Sequence, residues 1–88
     1  MSLADLTLDL MAVPGLSGHE DRVRRRIADH LGLPVETDRL GNLWTTRPGD
    51  GPVVMLFTHM DQLGFVVRKI EAAGFLRLER LGGVPERA

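Results

Sequence analysis

The sequence contains no cysteine in its 88 residues. A disulfide framework, a thiolate metal site and a catalytic thiol are therefore excluded. The absence fits a cytoplasmic setting, which is the expectation here. Net charge is also small: 11 Lys+Arg against 12 Asp+Glu leave −1. No global field draws such a chain to nucleic acid or to an anionic membrane. Long apolar runs are missing. The longest, Val53 to Phe57, falls far short of the roughly 20 residues that cross a bilayer as a helix. The opening Met1-Ser2-Leu3-Ala4-Asp5 lacks a basic stretch followed by an apolar one, so no secretory signal is visible. No repeat or low-complexity segment interrupts the chain. What remains is ordinary in balance: 43% hydrophobic and 26% charged, the mixture of a globular chain rather than a disordered one. At this length one small domain with a modest core is the expectation.

Two helices are legible near the start. Leu3, Leu6 and Leu10 recur close to helical spacing, with Asp5 and Asp9 between them, and Val13-Pro14-Gly15 should end that helix because proline disfavours helix in the residue before it. Ser17-Gly18-His19-Glu20 has the form of a capping box and predicts the start of a second helix. Its buried stripe should be Val23, Ile27 and Leu31, with Gly32 and Pro34 as the stop.

From Val35 the texture becomes that of strands. Val35-Glu36-Thr37 and Leu43-Trp44-Thr45-Thr46 are short candidates, with Leu40-Gly41-Asn42 turning between them and Asp38 and Asn42 as turn formers. Residues 47–52 read as a loop. Val53-Val54-Met55-Leu56-Phe57-Thr58 is the strongest candidate, apolar on both faces, as in a central strand of a sheet covered on both sides. Phe65 to Ile70 and Phe75 to Arg80 predict an antiparallel hairpin about a Glu71-Ala72-Ala73-Gly74 turn. The change from a buried strand to half-exposed ones places a domain boundary near Gln62.

His59 follows that apolar strand directly, and sites in open α/β sheets form just beyond the carboxyl ends of strands. Asp61 is two residues on, so in an extended chain both side chains point to one side. A neutral imidazole is a good ligand for zinc or cobalt. A neighbouring carboxylate can orient the ligating ring. A His and an Asp hydrogen-bonded at a strand end without any metal have the same spacing, so the pair alone leaves both readings open.

The wider pattern is more specific. Residues 13–20 (VPGLSGHE), 38–43 (DRLGNL), 58–65 (THMDQLGF), 74–76 (GFL) and 81–87 (LGGVPER) follow one another along the chain. In that order and spacing they resemble the N-terminal region of the glutamyl-aminopeptidase-like metallopeptidases, family forty-two of the metallopeptidase series. That family includes the large tetrahedral aminopeptidases, and its members are sometimes labelled endoglucanases or cellulases. The resemblance covers nearly the whole chain.

The resemblance implies an α/β fold. Residues 1–62 would be the N-terminal part of a zinc-peptidase-like catalytic domain, and residues 63–88 the first strands of an inserted β-barrel-like dimerisation domain. It implies that His59 is the first metal ligand and that Asp61, the catalytic candidate, is the acidic residue that orients it. Gln62 departs from the pattern, where Glu is common. The family's other ligands and its catalytic base match nothing here and are expected downstream. The implied activity is removal of N-terminal residues from peptides, with two divalent ions, zinc or cobalt, as cofactors and a homo-oligomer built through the β domain. A related two-metal deacylase or dipeptidase is the nearest alternative. A non-catalytic truncated product, folding or binding a partner through its hairpin, is the alternative outside enzymes.

Other polar residues have plainer readings. Arg22, Arg24, Arg25 and Arg26 fall on the solvated sides of an amphipathic helix, with no interleaved aromatics to form a stacking platform for nucleic acid. His19 belongs to a first helical turn, and His30 sits where positive charge suits a helix C-terminus. Gly82-Gly83 is expected in a turn. Trp44 and the three Phe residues are expected in the core.

Overall fold

In a computed structural model the chain is described over residues 1–87. Two helices come first, α1 (Leu3–Met11) and α2 (Asp21–Leu31), followed by four strands: β1 (Glu36–Thr37), β2 (Leu43–Trp44), β3 (Gly64–Ile70) and β4 (Leu76–Leu81). The strands form two separate antiparallel hairpins, β1 with β2 and β3 with β4. The chain is thus a small mixture of helix and strand.

The helix ends follow from local chemistry, but one of them differs from the expectation. The capping box belongs to α1. Ser2 Oγ accepts from the Asp5 N–H at 3.1 Å, and Asp5 Oδ2 accepts from the Ser2 N–H at 3.0 Å. The box expected at Ser17 is absent. Helix α2 begins at Asp21 behind Glu20, which makes no side-chain cap. Glu20 Oε1 instead accepts from the Gly18 N–H at 2.8 Å. The reason is the Gly18 backbone, which turns through a positive φ of 83° and closes a tight loop, with the His19 N–H donating to the Leu16 carbonyl at 2.8 Å. A reciprocal box needs Ser17 at the helix entrance, and this loop places it outside. The far end of α2 is as expected: Gly32 caps it at φ 60°, the left-handed region that glycine enters without a Cβ penalty. Ser2→Ala should lower the helicity of α1 at a cost of about 1 kcal/mol, whereas Ser17→Ala should leave helix content unchanged. Circular dichroism of the two variants separates the sites.

Asp9 joins the helices. Its carboxylate takes the Arg26 guanidinium on one oxygen at 3.2 Å and His30 Nε2 on the other at 2.6 Å. The hydrogen bond to His30, aided by the Arg26 charge, holds its carboxyl below the usual range. His30 therefore pairs with a neighbouring helix rather than only with its own helix end. Of the α2 stripe, Val23 is buried, Ile27 is half-buried and Leu31 is exposed.

The Asp38 turn is as read. Its Oδ1 accepts from the Leu40 and Asn42 N–H groups, both at 3.0 Å, and its Oδ2 accepts from Asn42 Nδ2 at 2.8 Å. These bonds fix the β1–β2 turn, and Arg24 reaches across to donate to the Gly41 carbonyl at 3.2 Å. In the second hairpin the predicted turn also holds. Glu71 donates to the Phe75 carbonyl at 2.8 Å, and Gly74 closes the turn at φ 90°. The ladder shifts register between Val67 and Lys69, leaving Arg68 as the extra residue of a bulge.

Two expectations are corrected. Residues Val53–Thr58 form no strand and make no backbone hydrogen bond to another described residue. Val53, Leu56 and Phe57 stand 98%, 92% and 90% exposed. A strand exists only through a neighbour's N–H and C=O groups, and no described segment pairs with this one. The expected sheet covered on both sides is therefore not formed. The aromatics are not core either: Trp44, Phe57, Phe65 and Phe75 are all exposed, and the buried hydrophobics are Val13, Val23 and Val84.

The dimensions agree. The radius of gyration is 17.2 Å, against about 12 Å for a compact domain of this length. The accessible surface is 8015 Å², against about 5,100 Å² for a folded monomer of this mass. No helix among the described residues is long and apolar enough to cross a membrane.

Candidate metal centre

His59 and Asp61 lie in the irregular segment between the exposed apolar run and β3. The His59 and Asp61 side chains nevertheless meet. His59 Nδ1 is 3.0 Å from the Asp61 carbonyl oxygen and 3.0 Å from Asp61 Oδ1. A backbone carbonyl can only accept, so Nδ1 carries the proton and donates to both oxygens. In the neutral ring the lone pair is then on Nε2. The His59 side chain is 83% exposed, so that lone pair faces open space.

What holds this segment is the loop between the helices. The Gln62 N–H donates to the Gly15 carbonyl at 2.7 Å, and Leu16 and Gln62 form a parallel bridge. Gln62 Nε2 also reaches the Met11 carbonyl at 3.5 Å, a long contact that adds little. Gly15 is buried beneath this crossing, beside the buried Val13 and Val23. Gly64, where β3 begins, lies against the Leu16 side chain. Sequence reasoning found the His-x-Asp pair but not this tie. Its signal was present in the Pro14-Gly15-Leu16 and Leu63-Gly64-Phe65 runs, which pattern alone could not pair.

The donor set fits a divalent cation in part. An exposed imidazole nitrogen with its ring held by a carboxylate is how protein ligands for zinc or cobalt are presented. Yet no group of three or more His, Cys, Asp or Glu gathers among the described residues. His19 and His30 lie elsewhere, His19 in the loop before α2 and His30 on Asp9. A catalytic zinc ion typically takes three protein ligands and an open position. His59 and Asp61 together fall short of that number.

Similarity to known proteins extends across this site. Lysyl aminopeptidase from Pyrococcus furiosus is 36% identical over 84 residues, which cover 91% of this chain and 24% of that protein. Glutamyl aminopeptidase from Lactococcus lactis subsp. cremoris is 34% identical over 90 residues, 94% of this chain and 25% of that protein. The chain spans about a quarter of the length of the curated relatives it matches. The family model for M42 glutamyl aminopeptidases matches residues 41–88, a stretch that contains His59, Asp61 and the whole second hairpin. This chain belongs to the M42 glutamyl aminopeptidase family.

Proposed function

We propose that the chain is the N-terminal portion of a metal-dependent aminopeptidase that removes N-terminal residues from peptides at a two-metal centre. His59 is its metal ligand from this segment, through Nε2. Asp61 is the acidic partner that fixes the ring. The observation that carries the reading is the 3.0 Å contact between His59 Nδ1 and Asp61 Oδ1, which leaves Nε2 as the open nitrogen. The names of the relatives support the reaction class, and family membership supports metal dependence. Zinc or cobalt suits an imidazole–carboxylate set. When bound, such ions polarise the scissile carbonyl and lower the pKa of a water. Within this chain, Asp61 accepts the hydrogen bond from Nδ1–H and so keeps the lone pair on Nε2.

The reading extends to organisation. Residues 1–62 belong to the catalytic domain and 63–88 open a β dimerisation domain, so the whole enzyme is a homo-oligomer working in the cytoplasm. The contrast within the chain supports the division: helices and the His59 segment are tied through Gly15 and Gln62, and a regular hairpin follows.

The 88-residue chain alone should not hydrolyse peptides, because one ligand and one orienting acid do not complete a catalytic site. The test compares it with the whole protein that carries it. Both are given Zn²⁺ or Co²⁺ and a panel of aminoacyl chromogenic substrates. The whole protein should turn over and the 88-residue chain should not. Turnover by the short chain above a metal-only control removes the argument from ligand number, and no turnover by the whole protein on any substrate removes the aminopeptidase reading.

A further inference from the structure

The segment bearing His59 and Asp61 has no strand neighbours among the described residues, yet its direction is fixed at one crossing. There the 14–16 loop meets residues 60–64. The Gln62 N–H donates to the Gly15 carbonyl at 2.7 Å, and the Leu16–Gln62 parallel bridge sets the register. Two glycines make the approach possible. A Cβ on Gly64 would sit 2.4 Å from Leu16 Cδ2, and a Cβ on Gly15 would sit 2.4 Å from Val23 Cγ2 and 3.8 Å from the Met60 carbonyl. Both 2.4 Å approaches require a shift: the flexible Leu16 side chain can turn only by giving up its present seat in the crossing, and the short, buried Val23 has less freedom. The lower side of the crossing is closed by α2 through Val23, which is 5% exposed. Gly15 is thus joined to the segment above by the Gln62 hydrogen bond and lies close to the carbonyl of Met60, the residue between His59 and Asp61.

We propose that Gly15, Leu16 and Gly64 are positioning residues for the metal centre: their close packing at the Gln62 crossing sets the direction in which His59 presents Nε2. This rests on His59 being a metal ligand, as proposed above. The lever between the crossing and the ring is short. His59 is three residues from Gln62, so a shift at the crossing reaches the ring with little chain between to absorb it. Metal sites tolerate such displacement poorly, because coordination distances are held to within about 0.2 Å. Asp61 is adjacent to Gln62, so the carboxylate that orients the ring moves with the crossing as well.

The test uses the whole protein, stripped of metal and reloaded with Co²⁺, whose visible bands report ligand geometry. Gly64→Ala should weaken Co²⁺ binding by about 10–100-fold, the range typical of a lost orienting contact, and should shift the cobalt bands. Leu16→Ala removes every atom that a methyl group at position 64 would strike, so adding it to Gly64→Ala should restore most of the affinity and the original spectrum. Leu16→Ala alone, which opens a gap without adding a clash, should weaken binding more mildly, and it serves if Gly64→Ala does not fold. Gly74→Ala is the control for general destabilisation. Its φ of 90° makes the substitution strained, but nothing lies within 4 Å, so it should lower the melting temperature and leave the cobalt spectrum unchanged. An unchanged spectrum and affinity in both Gly64→Ala and Leu16→Ala overturns the proposal, as does a double variant no better than Gly64→Ala. His59→Ala in the same series separates the two levels. If it loses Co²⁺ while the crossing variants bind normally, the positioning role fails and the metal reading stands. If it keeps its full Co²⁺, the metal reading itself fails.

Discussion

His59→Ala in the whole protein should lose at least one metal ion per subunit and nearly all peptide hydrolysis. The substitution removes an exposed imidazole whose Nδ1 is held by Asp61 and whose Nε2 is left open. Loss of a ligand should lower occupancy more than loss of the group behind it, which typically costs about 10–100-fold in affinity or activity. Asp61→Asn provides that comparison. An amide oxygen can still accept from His59 Nδ1, and the Asp61 backbone carbonyl at 3.0 Å is unaffected. The ring should therefore keep its tautomer and most of its metal. The amide cannot supply the carboxylate's charge, so the rate should fall. Metal content by mass spectrometry, read beside turnover for both variants, checks the ordering. Full occupancy with near-normal turnover in His59→Ala would mean that the pair is a structural hydrogen bond, and the proposed function would fall with it.

The 88-residue chain by itself should self-associate or remain partly ordered. Its accessible surface, 8015 Å², exceeds the roughly 5,100 Å² of a closed monomer of this mass, and many large apolar side chains contribute to it. Val53 to Phe57 is an exposed run of five apolar residues with no charge and no hydrogen-bonded neighbour. That combination is a template for pairing with another chain. The hairpins add to it. Each has two strands, an arrangement that is marginal in water without further packing, and Phe65, Phe75, Leu76 and Leu78 are exposed on them. Leu56→Lys should reduce association by placing a charge within the run. Light scattering and calorimetry run together are the measurement. A sharp cooperative transition in a strictly monomeric sample would contradict the expectation, as would association that Leu56→Lys leaves untouched.

How much of this was legible in the sequence depends on how local the cause is. Helix α1, the stop at Gly32, the Asp38 turn and the β3–β4 hairpin each arise from residues within a few positions of one another, and each was read from the chain. The Ser17 box misled because its residue types are right while the Gly18 turn, at φ 83°, directs the backbone elsewhere. Val53 to Thr58 misled for a different reason. Its composition is that of a central strand, but a strand is completed by hydrogen bonds from other segments, and no described segment supplies them.

The sequence by itself determined helix α1, the end of α2, the turns and the nearness of His59 to Asp61, because each depends on residues within a few positions of one another. Only the tertiary structure decided what holds that pair. Gly15 and Gln62 are far apart along the chain, and nothing in their identities marks them as partners. Their 2.7 Å hydrogen bond depends on the turn after α1 delivering a carbonyl to the segment before β3. It also depends on Gly15 and Gly64 leaving room for Val23 and Leu16. Backbone hydrogen bonds carry no side-chain code, so a tie made by them becomes visible only when the chain is folded.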